Sequence, residues 1–222
     1  MALAVPLLPV CWVFTVAFFQ VFLQGHAGSP VYESPELGLF VTGATLWVAA
    51  FFLLPRPTGL YVLGHEWTHA IAALLCGARV GRVQATARGG YVLTDKNNVI
   101  ISLSPYIVPF WLLVSLGLLG TSRLIIDVPH FNPILFFTAG LGWAFHISFT
   151  IMMSRRGQSD LEINGYFFSL VVIYLGNLLL IAGFLAWISP EAGFRDLGEA
   201  TWQETARLLD SIATLFRTSS SG

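Results

Sequence analysis

Two histidines four residues apart flank a carboxylate in His65-Glu66-Trp67-Thr68-His69, and residues of these types at this spacing have a definite chemistry. On an α-helix, positions i and i+4 share a face, so both imidazoles can be offered to one zinc ion while Glu66 stands beside them as a general base. The reaction this implies is metal-assisted hydrolysis. Random placement produces the pattern in roughly 0.3% of chains of this length and composition. Tyr61-Val62-Leu63-Gly64 precede it and Ala70-Ile71-Ala72-Ala73-Leu74-Leu75 follow, so three polar side chains sit in an apolar stretch. An uncompensated charge at mid-bilayer costs about 2.5 to 3.5 kcal/mol, so ionisable groups there have a partner or a task. Histidines that only hydrogen-bond across a helix bundle are the plain alternative to a metal site.

A catalytic zinc takes three protein ligands and leaves a fourth position to water. Depth limits the candidates for the third. His69 lies about eight residues, roughly 12 Å, from the end of its helix, and His146 lies at a similar depth in a later apolar segment. Asp160 follows Arg155-Arg156-Gly157-Gln158-Ser159 and reaches the metal only if that stretch dips into the membrane. Its plain alternative is a solvated carboxylate paired with Arg155 or Arg156. His146 is a candidate for a fourth ligand, for a donor that orients another ligand, or for an oxyanion partner; Asp95 and Glu162 are weaker choices.

The elements that position these groups follow from composition. At 55% apolar and 10% charged residues, the chain lies far from the soluble average of about 25% charged. The expected fold is an all-α polytopic membrane protein with about six transmembrane helices and a small membrane-associated β-hairpin. The six apolar segments lie at approximately 5–24, 37–55, 59–77, 98–120, 133–153 and 163–188, each able to cross a core of about 30 Å. The first lacks a basic leader and is too long for the core of a secretory signal, so it is expected to be retained. Arg79, Arg82, Arg88, Lys96, Arg155 and Arg156 fall on one side and Arg56 and Arg123 on the other. The positive-inside rule then puts the first set in the cytoplasm and both termini outside, as in a bacterial-type plasma membrane with the active site toward the cytoplasm.

Helical periodicity gives way to alternation once, over 80–94. Val83, Ala85 and Ala87 interleave with Arg82, Gln84 and Thr86, Gly89-Gly90 supplies a turn, and Tyr91-Val92-Leu93-Thr94 returns. An open sheet edge cannot face lipid, so this hairpin is either structural or receives an extended peptide by strand addition. Residues 1–190 form the transmembrane body. Within 191–222, Trp202, Ala206, Leu209, Ile212 and Phe216 recur at helical spacing opposite Glu199, Gln203, Arg207 and Asp210, the pattern of an amphipathic interfacial helix; Thr218–Gly222 is expected to fray. Cys11 and Cys76 fall at opposite faces, beyond disulfide reach. No basic run or aromatic platform suggests nucleic acid.

Taken together, the His-Glu-x-x-His motif on an apolar helix, the small residues after it, Gly89-Gly90-Tyr91-Val92, and Ser104-Pro105 in the next segment resemble the site-2 protease family of intramembrane zinc metalloproteases. The resemblance covers Gly64 to Pro105 and the region of Asp160, about a third of the chain. It implies zinc as cofactor, an aspartate from a later span as third ligand, and a substrate-binding role for Gly89, Gly90, Tyr91, Ser104 and Pro105. The family's Asp-Gly is matched here by Asp160 with Gly165 five residues on, and Thr68 stands where the family has glycine, which marks a divergent branch. The expected partners are the lipid bilayer and a membrane protein or peptide substrate. The competing class is a non-proteolytic membrane protein: a metal-binding pseudoenzyme acting as chaperone or adaptor, or a small transporter. Glu66 discriminates, because a structural or transport site has little need of a carboxylate beside its first ligand.

Overall fold

The computed structural model describes residues 4–24, 34–126, 128–188 and 193–219. Helix dominates, and the sheet among the described residues is a two-stranded antiparallel hairpin. In chain order the elements are α1 (Leu7–Gln24), α2 (Pro35–Leu53), α3 (Thr58–Leu75), β1 (Val80–Thr86), β2 (Gly89–Thr94), α4 (Val99–Ile107), α5 (Phe110–Ile125), α6 (Phe131–Ser154), α7 (Ser159–Ile163), α8 (Tyr166–Ile188) and α9 (Phe194–Ser219). They divide into two compact units, residues 35–169 and residues 1–34 with 170–222.

In the first unit, α2 and α6 pack backbone to backbone because small residues face each other. A methyl group at Gly43 would overlap the Phe137 carbonyl, and one at Gly140 would overlap the Phe40 carbonyl. Close approach of this kind is what small residues contribute to helix association in lipid. Trp47 donates its indole N–H to Ser148 Oγ at 2.9 Å, and its ring lies 4.9 Å from Phe145. Tyr61 of α3 stacks on Phe149 of α6 with centroids 4.7 Å apart and planes 9° from parallel, which fixes α3 against this pair.

The end of α3 determines where the hairpin begins. Gly77 adopts φ of 68°, and the Gly77 and Ala78 amides donate back to the Leu74 and Ala73 carbonyls at 3.0 and 2.9 Å. That is a Schellman cap, which glycine permits without strain and which turns the chain sharply back. Ala73, Ala78 and Ile101 then form a small buried cluster joining α3, the start of the hairpin and α4. In the hairpin, Thr86 pairs with Gly89, Ala85 with Gly90, Gln84 with Tyr91 and Val83 with Val92. The turn is therefore Ala87-Arg88, not Gly89-Gly90 as expected, and both glycines belong to β2.

Two expected segments are interrupted. The stretch 98–120 is not one helix: α4 and α5 meet at a 65° bend. Pro109 has no amide hydrogen to continue the ladder and forces Val108 into an extended conformation (ψ 114°). Asn98 caps the start of α4, its side chain accepting from the Ile101 amide at 2.9 Å. The stretch 163–188 is broken near its start at Gly165, whose φ of 87° separates the short α7 from α8.

Three helices are long and apolar enough to cross a membrane, Pro35–Leu53, Phe131–Ser154 and Tyr166–Trp187, and the bent α4–α5 pair makes a fourth if counted as one span. Length and apolarity thus support three or four crossings where six were expected. In the second unit α1 packs with α9, and Thr15 Oγ1 and the Tyr174 hydroxyl are hydrogen-bonded at 2.7 Å. Helix α9 buries Ala200 and Glu204 and exposes Trp202, Leu209 and Phe216. The expected boundary at 190/191 and residues 220–222 of the expected frayed end lie outside the described residues; Thr218 and Ser219 are helical.

Candidate metal centre

His65 and His69 stand one turn apart on α3 with ring centroids 4.8 Å apart. The Asp160 Oδ2 atom lies 3.5 Å from His65 Nε2 and 3.2 Å from His69 Nε2. Among the described residues these three form the one group whose donor atoms could hold a metal ion, all within 4.8 Å of one another. Donors at about 2.0–2.1 Å from a tetrahedral zinc are separated by about 3.3–3.4 Å, and the two histidine–aspartate distances lie close to that separation.

Hydrogen bonds on the far side of each ring support that fit. The Ile101 carbonyl, which can only accept, lies 2.8 Å from His69 Nδ1. Nδ1 therefore carries a proton, and in the neutral ring the Nε2 lone pair points at Asp160. A lone pair facing a carboxylate oxygen at 3.2 Å is repulsive unless positive charge lies between them. His65 Nδ1 is likewise engaged, 3.2 Å from the Tyr61 hydroxyl, and its Nε2 faces the same oxygen. Two protons can supply the charge, or a single divalent cation can satisfy all three donors. Outer hydrogen bonds of this type orient the imidazoles of metal centres.

Asp160 arrives from α7, a five-residue helix between Gly157 (φ 68°) and Gly165 (φ 87°). Two contacts tie α7 down: Asn164 Nδ2 donates to Ser102 Oγ at 2.6 Å, and Ser169 Oγ donates to the Leu161 carbonyl at 2.9 Å. Asp160 thus reaches the histidines on a separate short helix rather than at the start of a long one.

The centre opens into a cavity of about 520 Å³ lined by His65, Glu66, His69 and Asp160 on one side and by Gly89–Val92 of β2 on another. Glu66 is 6% exposed, and β2 is pressed against it. A Cβ at Gly90 would lie 2.6 Å from Glu66 Cγ and 2.8 Å from its Oε1, so glycine alone lets the strand pass there.

The remaining candidates lie elsewhere. His146 is buried on α6 and lines a different, small cavity of about 20 Å³ behind α3 with Gly64, His65 and Thr68; it is outside the three-donor group. Asp95 pairs with Arg79 at the base of the hairpin, at 2.9 Å, and Glu162 is exposed. Ser104 and Pro105 are buried in α4 and are absent from the large cavity's lining; Ser104 Oγ donates instead to the Ile101 carbonyl at 3.1 Å, the group that receives His69. Sequence reasoning missed Tyr61, Tyr106 and Asn164. Tyr61 had a signal, since it stands four residues before His65 on the same helix face.

Compared with protein-family models, with curated proteins and with solved structures, the chain matches none.

Proposed function

We propose that this protein is a membrane-embedded zinc metalloprotease, a divergent relative of the site-2 protease class, that hydrolyses peptide bonds of membrane-anchored substrates. The observation that carries the reading is the meeting of His65, His69 and Asp160 around one point, with both Nε2 atoms aimed at one carboxylate oxygen and Glu66 beside them on the same cavity. Six crossings fit this function, with α1, α2, α3, the bent α4–α5 pair, α6 and α8 as spans and the cavity toward the cytoplasm.

His65, His69 and Asp160 would hold the ion. When bound, zinc supplies Lewis acidity, which brings the pKa of an attacking water toward 7 and draws charge from the scissile carbonyl. Glu66 takes the proton as the water oxygen attacks the carbonyl carbon, and returns it to the leaving nitrogen as the C–N bond breaks. A helical substrate must first unwind, because its carbonyls are occupied by internal bonds. β2 lines the cavity with backbone as well as side chains, so an extended substrate can lie along it and exchange main-chain hydrogen bonds.

The test is metal content and proteolysis on the same preparation. Purified protein should hold close to one zinc per chain, and His65→Ala, His69→Ala or Asp160→Ala should lose it while Glu162→Ala does not. Glu66→Gln should keep the zinc yet cleave a membrane-anchored peptide at least about 10²-fold more slowly. Full activity of Glu66→Gln in cells that depend on the protein would replace this reading with the adaptor or transporter.

A further inference from the structure

We propose that Tyr106 is a positioning residue of the metal centre: its hydroxyl fixes the Asp160 carboxylate so that one oxygen is aimed at the two imidazoles. The inference rests on the metal-centre reading above. Tyr106 is fully buried, on α4, and its hydroxyl donates to Asp160 Oδ2 at 3.4 Å. Its ring also meets the His65 imidazole edge-on, with centroids 5.0 Å apart and planes at 87°. One side chain thus touches two of the three donors.

The need for such a contact follows from where Asp160 sits. Helix α7 has five residues and is bounded by two glycines in the left-handed region, so its own backbone is a weak constraint on the direction of a carboxylate with two rotatable bonds. His65 and His69 are held by an eighteen-residue helix; Asp160 has to be held from outside. Helix α4 does this at two points, Ser102 receiving Asn164 at 2.6 Å and Tyr106 reaching the carboxylate itself. The same helix presents the Ile101 carbonyl to His69. A carboxylate oxygen has two lone pairs. The Tyr106 hydroxyl occupies one on Oδ2, which leaves the other toward the imidazoles and restrains the carboxylate from rotating away from them. Ligand geometry this specific depends on locked rotamers in the surrounding residues.

Tyr106→Phe tests this with the loss of one oxygen atom and no change in packing. In the full-length protein in detergent, zinc affinity is measured by competition with a chelator, and the coordination number by the visible absorption of the cobalt-substituted form, which weakens as four ligands become five. The expected result is a 10- to 100-fold loss of zinc affinity with a weaker cobalt spectrum, while the unfolding midpoint of the metal-free protein stays near that of wild type. Wild-type affinity and spectrum in Tyr106→Phe overturn the proposal while leaving the metal centre intact. Failure of the wild-type protein to bind zinc removes both readings together.

Discussion

Gly90→Ala is the sharpest probe of the contact between the hairpin and Glu66, the proposed general base. The added carbon would lie 2.5 Å from the Gln84 carbonyl oxygen and 2.6 Å from Glu66 Cγ, where ordinary contact begins at 3.4 Å. The shortfall is about 0.9 Å on one side and about 0.8 Å on the other. The Gln84 oxygen is backbone within the same hairpin and cannot yield, so the strain falls on Glu66 or on the seating of β2 against α3. Overpacking of this size costs about 1–3 kcal/mol, and a displacement of about 1 Å at a reacting group costs about 10²-fold in rate. Gly90→Ala should therefore slow peptide cleavage by about 10²-fold while zinc content, measured on the same sample, stays near one per chain, because none of the three ligands touches residue 90. Gly81→Ala in β1 is the control, since its nearest neighbours would stand at 3.5 Å and neither rate nor stability should change. Wild-type cleavage by Gly90→Ala, or loss of zinc along with cleavage, refutes the placement of Glu66 under β2.

Two further outcomes test the scaffold. Asp95 is held below the usual carboxylate range chiefly by the Arg79 guanidinium, with the Arg79 amide adding to it. A lowered folded value gives stability that is complete above the unfolded pKa of about 3.9 and is lost as the pH falls through the folded value. Amide exchange in β1 and β2 should thus be slower in wild type than in Asp95→Asn by a constant factor between pH 5 and 8, with the difference shrinking below about pH 4; a difference that shrinks between pH 8 and 5 contradicts the assignment. At the α2–α6 contact, Gly140→Ala forces a methyl group into the Phe40 carbonyl and should lower the unfolding midpoint in detergent, at a cost of about 1–3 kcal/mol or more. Gly120→Ala on α5, with open space around it, should not.

How much of this was legible in the chain depends on how local each signal is. The helical placement of His65, Glu66 and His69 needs only the i, i+4 rule, and α3 runs from Thr58 to Leu75 within two residues of the segment read from hydropathy. The hairpin was legible from alternation, but its turn was displaced because Gly89-Gly90 reads as a turn signal on its own. What calls for glycine at 90 is a long-range contact, the Glu66 side chain below the strand, and no local rule reports that. The break between α4 and α5 was available in Pro109 and was masked by the continuous apolar run around it. Helix α3 carries the polar groups of the site, and apolarity alone does not count it among the spans.

The third donor shows why a site assembled from distant segments resists reading from sequence. A depth argument treats helices as straight rods, and on that basis His146 was as good a candidate as Asp160. Gly157 and Gly165, both left-handed, cut a five-residue helix out of the chain between two long ones, and Asn164 and Tyr106 draw it to α4. None of those four residues is a ligand, yet together they decide which acidic group faces the histidines. The Ile101 carbonyl accepts the Nδ1–H of His69, which leaves the Nε2 lone pair and a carboxylate face to face in the neutral ring. The fold holds two acceptors at 3.2 Å where only a positive charge makes them compatible, and the chemistry proposed for the protein follows from what carries that charge.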